Sequence, residues 1–416
     1  DHVGCYGHLR ETSPTLDRLA QESYRFERAY STAPWTMASV ASLFTGLYPG
    51  SHGVTSTSRL PNEALTLAVI LQSRDYATAG VVSHVVLGRT YVFHQGFDRY
   101  EDEVPGAAHD DISTGRVTDK AIEFLEGLAD GERPFFLFAH YFDPHYNYLP
   151  HPEVDFAPPR VGRLDATQTI KELRAMSGDL TAEEVAFIRD LYDEEIRHTD
   201  SGIGRLLARL AELELDDETW VIVTADHGEE FLTRGWLGHT RTLYEELVRV
   251  PLIVRPPGGL PEPRLLRGPV TQAALPATVV DLVGGDSSLF RFQAGSLEPL
   301  LAAGRAPSPG VAFAEVDFIP IYADNWVKRS HKKALITERY KLIRDDSTGR
   351  LELYDLREDP GELRDLSATR PEMVASLLPA LEEALAVSRG RSLGRVEAPL
   401  SEERLEQLRS LGYVGD

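Results

Sequence analysis

Residues 219–231, TWVIVTADHGEEF, place a short apolar run, Trp220 to Val223, just ahead of Asp226, His227, Gly228 and Glu229. A continuous run of this length, without alternation, reads as a strand covered on both faces. Its polar residues then fall at the carboxyl end, where open α/β sheets bind their ligands. An Asp and a His side by side can face one metal ion if the backbone bends sharply, and Gly228 permits that bend. The plainer alternative is an Asp that caps the following helix beside an exposed His.

The same pattern recurs outward from this stretch. A helix over about 65–73 precedes a strand at Thr78 to Val82, and a helix near Arg116 to Leu128 precedes the strand PFFLFAHYF, residues 134–142. Thr181-Ala-Glu-Glu184 is a capping-box pattern that opens a long helical stretch before residue 219. VRVPLIVR, residues 248–255, is another buried strand. Such strands, separated by amphipathic helices, predict a large, mostly parallel sheet sandwiched by helices. AAGRAPSPG, residues 302–310, separates this body from a different texture. Residues 333–366 alternate around Asp346-Ser-Thr-Gly349, and 370–387 follow as an amphipathic helix. The expected organisation is an α/β domain over 1–305, a small antiparallel sheet with one helix over 306–390, and a tail over 391–416.

Bulk composition narrows the classes. The chain has 416 residues, 42% of them hydrophobic and 26% charged, which excludes a disordered chain. A net charge of −22 argues against nucleic acid as partner, although a metal or a histidine cluster can still hold a small anion locally. There is no apolar run long enough for a membrane helix. Cys5 is the only cysteine, so no internal disulfide forms. The sequence opens on DHVGCYG with neither Met nor a strand before it, which leads us to expect a first strand upstream.

Two more polar clusters follow predicted strands: Ser83-His84, and Asp143-Pro144-His145. Twelve residues beyond His227, His239 lies in the polar loop GHTRTLYEE. Each His has a plain reading: His145 satisfies its own turn, and His84 is a solvated strand end. His140 and His94 read as packing or surface, and Glu382-Glu383 as a solvated helix face. One carboxylate with one imidazole suits Ca²⁺, Mn²⁺, Mg²⁺ or Zn²⁺ and does not select among them.

Six blocks in order, ETSPTLDRLAQESYRFERAYST, ASLFTGLYPGSHGV, HYFDPH, TADHGEEF, LYEELVRVPLIV and YKLIRDD with LELYDLREDPGELRDL, resemble the sulfatase family of the alkaline-phosphatase-like superfamily. The resemblance implies one or two divalent metal ions, a small anionic ester as substrate, and hydrolysis or transfer of sulfate or phosphate through a covalent intermediate. It also implies a secreted, periplasmic or membrane-anchored location. Sulfatases carry Cys or Ser, any residue, Pro, Ser and Arg at the nucleophile loop. Here TMASV puts Thr36 at the nucleophile position, Ala38 in place of Pro and Val40 in place of Arg. Formylglycine forms from Cys or Ser, and the extra methyl of Thr36 blocks that route. Relatives that act on phosphate esters use Thr or Ser directly, with a metal to activate the hydroxyl.

By the same resemblance, Asp226 and His227 match the metal pair, with Thr36 also at the metal. His145 and His239 match groups that contact the ester oxygens or the leaving group. His84 falls beside a substrate-binding Lys, Arg241 is a looser substrate candidate, and the first metal carboxylate falls in the strand expected before residue 1. Three classes follow: a metal-dependent phosphoester hydrolase or transferase, a true sulfatase without formylglycine, and a non-catalytic binding relative. Specificity is expected from the segment 146–180.

Overall fold

The computed structural model describes residues 1–102, 112–145, 147–303, 310–318, 330–390, 392–399 and 401. Most of the expected linker 302–310 and the end of the expected tail lie outside them.

In chain order the large body contains α1 (Pro14–Ala20), β1 (Tyr24–Tyr30), α2 (Thr36–Thr45), β2 (Ser58–Arg59), α3 (Leu67–Gln72), β3 (Ala77–Val82), β4 (Arg99–Glu101), α4 (Thr114–Ala129) and β5 (Phe135–His140). It continues with α5 (Ile170–Met176), α6 (Ala182–Glu212), β6 (Val221–Thr224), β7 (Leu252–Arg255), β8 (Arg264–Thr271) and α7 (Leu275–Leu282). The smaller part has β9 (Ala312–Phe318), β10 (Ser330–Ile336), β11 (Tyr340–Asp345), β12 (Leu351–Asp355), α8 (Pro371–Arg389) and β13 (Val396–Glu397). The capping box is present: Thr181 Oγ1 accepts from Glu184 N, and the Glu184 carboxylate accepts from Thr181 N. It opens the 31 residues of α6.

Parallel pairing joins β3 to β4 and β5, and β1 to β8. The expectation of a mostly parallel sheet misses one reversal: β7 runs antiparallel to both β1 and β6. The link from β6 to β7 is a polar loop with the short helix Glu245–Val248, not a full crossover helix, so the chain returns beside the strand it left. Strands β5 and β6 each carry one ladder partner among the described residues, β3 and β7 respectively. Their other edges border a cavity of about 1630 Å³ that Leu43, Phe44, Phe136, Val223 and Leu206 help to line. Asp1, His2 and Val3 border it as well.

The smaller part is the expected antiparallel sheet, in the order β9-β10-β11-β12, with α8 packed on β10 and β11. Buried ion pairs tie it to the large body. Lys341 Nζ lies 3.2 Å from Glu245 Oε1 and 3.1 Å from Glu362 Oε1, and Glu315, paired to Lys333 at 2.8 Å, accepts from Gly50 N. Strand β13, inside the segment read as a tail, pairs with β2.

Helix α2 carries Thr36, and His52 braces its far end. Val54 N donates to His52 Nδ1 at 3.1 Å, so the ring proton is on Nε2, which donates to Ser42 Oγ at 3.2 Å. Full burial pushes this imidazole down to about 4. An unfolded chain takes up the proton near the ordinary value of about 6.5, and the folded chain only near 4. Stability from this group is therefore complete above 6.5 and is lost as pH falls from there to 4, by up to about 3 kcal/mol. In urea titrations across that window, His52→Gln is expected to lose stability less steeply than the parent. Equal slopes would refute the assignment.

Candidate active site

The apolar run of β6 delivers Asp226 and His227 to a turn that only a glycine can complete. A Cβ on Gly228 would stand 2.1 Å from the Glu246 carbonyl oxygen, and Gly228 N donates to Leu247 O at 2.9 Å. Gln272 supports the turn from below, its amide donating to Thr224 Oγ1 and to Ala225 O. Ser39 Oγ, on α2, donates to the Asp226 carbonyl at 2.7 Å.

The orientation of His227 follows from one contact. Its Nδ1 lies 2.8 Å from the Gly228 carbonyl, which can only accept, so Nδ1 carries the proton and Nε2 presents a lone pair. That Nε2 is 3.3 Å from Thr36 Oγ1. Thr36 is the first helical residue of α2, one position inside the cap residue Trp35, and it is 3% exposed. A cap would aim the hydroxyl at the next turn's N–H groups. Here it faces a histidine.

Four histidines form a continuous row. Ring centroids are 4.3 Å apart for His227 and His239, 5.3 Å for His239 and His145, and 5.9 Å for His145 and His84. His145 stacks on Phe142, and its backbone N–H is held by Glu195 Oε2 at 2.9 Å. His239 is buried, which pushes its pKa well below the usual value, and its Nδ1 lies 3.1 Å from Glu229 Oε1. His84 is not the solvated strand end of the plain reading: it is buried, and its Nδ1 accepts from Val86 N at 3.2 Å. Arg241 stands one layer away, 4.1 Å over the ring of Trp236, whose Nε1 donates to His239 O. Val40 and Ala38 are buried in the apolar core, so α2 brings no cation to the site.

The reading of His140 as packing or surface is corrected. It ends β5 and borders the cavity with Thr36, His84, His145, Asp226 and His227, and its burial there pushes the imidazole pKa down, against the opposing pull of Asp226. Its position at the end of an apolar strand was the available signal, the one that marked Asp226. Arg174 was also missed: it lies 4.5 Å over Trp236 and donates to Leu237 O, from a helix inside the expected specificity segment. Its position on α5 gave no pattern to read.

The donor set fits a divalent cation. Asp226 Oδ2 is buried with no hydrogen-bond partner, 3.6 Å from His227 Nε2. A buried carboxylate oxygen is left without a partner, which is costly unless something positive joins it, and the imidazole lone pair that meets the Thr36 hydroxyl stands beside it. Asp226→Ala and His227→Ala are each expected to lose bound metal by elemental analysis while circular dichroism stays unchanged. Undiminished metal in either variant removes that residue from the centre.

Comparison with known proteins agrees with this architecture. The sulfatase family model matches residues 1–285, and the N-sulphoglucosamine sulphohydrolase C-terminal model matches residues 233–389. The N-acetylglucosamine-6-O-sulfatase of Bacteroides thetaiotaomicron is 24% identical, over 92% of this chain and 83% of its own length. A protein solved with its substrate D-glucosamine-2-N,6-O-disulfate is similar in fold, with a TM-score of 0.76 and 23% identity over 94% of this chain and 95% of its own. The phosphonate monoester hydrolase of Agrobacterium radiobacter is similar at a TM-score of 0.73 and 21% identity, over 96% and 97% of the two chains. With six ordered blocks, a matching fold and a family model spanning more than half of its residues, this chain belongs to the sulfatase family.

Proposed function

We propose that this sulfatase-family hydrolase cleaves a phosphate ester in preference to a sulfate ester, with Thr36 as an unmodified nucleophile. The carrying observation is the 3.3 Å approach of Thr36 Oγ1 to the lone-pair nitrogen of His227, beside the unpartnered Asp226 Oδ2. Thr36 Oγ1 gives up its proton and bonds to the phosphorus as the bond to the ester oxygen breaks and that oxygen takes up a proton. Water then cleaves the Thr36 oxygen–phosphorus bond, which restores the hydroxyl and releases the phosphate product. Asp226, His227 and Thr36 would hold a divalent cation, which when bound lowers the pKa of the hydroxyl and neutralises the phosphoryl oxygens. His145 and His239 supply contacts to those oxygens or to the leaving group, while His84 and Arg241 face the rest of the substrate. The open N–H groups at the start of α2 add positive potential for an anion.

A cap and a nucleophile differ in what their loss costs. Removing a cap costs about 0.5–2 kcal/mol of stability. Removing a nucleophile costs several decades in rate with melting nearly unchanged. Thr36→Ser is expected to keep much of the activity on an aryl phosphate mono- or diester, and Thr36→Ala to abolish it at a similar melting temperature. A Thr36→Ala protein with the parent's rate refutes the covalent role. A parent that prefers aryl sulfate returns the second reading, a sulfuric ester hydrolase, which the sulfatases among its relatives favour.

Asp226, His227 and Thr36 alone do not fill a divalent ion's coordination sphere. The facing edges of β5 and β6 and the apolar cavity between them suit one more strand, and Asp1 already borders that cavity. We assign this place to residues preceding Asp1, ending in the metal carboxylate that the family resemblance puts there. In calorimetric titrations with Ca²⁺ and Mn²⁺, a chain extended upstream is expected to bind more tightly than residues 1–416. Equal affinities overturn this.

A further inference from the structure

Away from the row of histidines, His151, Glu153 and His198 converge at the edge of the segment expected to set specificity. Their donor atoms lie within 4.8 Å of one another. Glu153 Oε1 is 2.9 Å from His198 Nδ1 and 3.5 Å from His151 Nδ1, and the two imidazoles stack with centroids 4.3 Å apart and 24° between planes. The stack turns both Nδ1 atoms toward the same carboxylate oxygen.

The His151 contact is the informative one. At 3.5 Å it is too long for a good hydrogen bond, and the ring is 1% exposed with Nε2 unpartnered. This imidazole is buried with Nε2 unpartnered and only the long Glu153 contact at Nδ1. Two ligands of one tetrahedral ion, at about 2.0–2.2 Å from the metal, stand roughly 3.3–3.5 Å apart. The three donors need only small side-chain shifts to reach that spacing.

The backbone beneath is already fixed. Glu194, on α6, accepts from the N–H groups of His151, Phe156 and Ala157, and Glu195 accepts from Leu149 as well as His145. His198 follows Glu194 by four residues, on the same face of α6. Two donors thus come from a loop pinned to the helix, and the third from that helix.

We infer that His151, Glu153 and His198 bind a transition-metal ion of the zinc class, which clips the 147–157 loop onto α6 near His145. Two imidazoles with one carboxylate suit Zn²⁺ or Co²⁺ and are a poor match for Ca²⁺ or Mg²⁺, which take oxygen ligands. The other histidine-carboxylate cluster, His2, His8 and Asp193, is a weaker candidate because Arg10 Nη1 already sits 2.8 Å from Asp193 Oδ2.

Co²⁺ titration followed by visible ligand-field absorption, with Zn²⁺ displacement, tests this on the whole chain. The parent and Asp226→Asn are expected to show the tetrahedral band. His198→Ala should lose it, and Glu153→Gln should weaken Co²⁺ binding by more than about tenfold. Zn²⁺ should also slow proteolysis within residues 147–169 in the parent and leave His198→Ala unaffected. His198 and Glu153 are partly exposed, so neither change threatens folding. An unchanged isotherm in His198→Ala, a band lost only in Asp226→Asn, or cleavage insensitive to Zn²⁺ in the parent overturns the inference.

Discussion

The contact from His227 Nδ1–H to the Gly228 carbonyl governs the site, because it decides which nitrogen carries the proton and so what Thr36 meets. That contact needs the tight turn after β6. The turn in turn needs a residue without Cβ, pressed against the Glu246 carbonyl. Gln272, just past the end of β8, donates through its amide to Thr224 Oγ1 and to the Ala225 carbonyl. A chain of local satisfactions, each short in range, positions the hydroxyl.

The row of imidazoles is held the same way, by groups with no part in bond making. Glu195 holds His145 through its backbone, Glu229 faces His239 Nδ1, and Val86 N occupies His84 Nδ1. Asp143 caps α4 from outside, accepting from both the backbone and the hydroxyls of Ser113 and Thr114. The strand end before His145 is therefore anchored to a helix N-terminus. Burial of so many polar groups is tolerable because most are paired.

Much of this was legible in the sequence because it is periodic or local. Apolar runs marked β3, β5 and β6, the Thr181 and Glu184 pair marked the start of α6, and the strand-end rule brought Asp226, His227, His145 and His84 to one place. What the sequence hid depends on long-range packing. His140 closes an apolar strand, and that it meets Asp226 and His227 across the cavity depends on how β5 and β6 face each other. Arg174 reaches Trp236 across 62 residues, a pairing that only the fold supplies. The reversal of β7 was equally invisible, since a strand buried on both faces looks the same in either direction.

The pairing of Val396–Glu397 with Ser58–Arg59 bears on how the molecule is assembled. Leu393 N donates to Ser51 O and Ala398 N to Thr57 O, so residues made long after the loop that follows α2 close over it. The large body is thus closed over by a strand from beyond α8, and the partition into two domains is one of appearance more than of folding. During synthesis that loop keeps open backbone groups until β13, more than three hundred residues further along the chain, has been made. A chain stopped short of β13 leaves an unpaired strand edge near the nucleophile helix, the kind of surface that chaperones and proteases read.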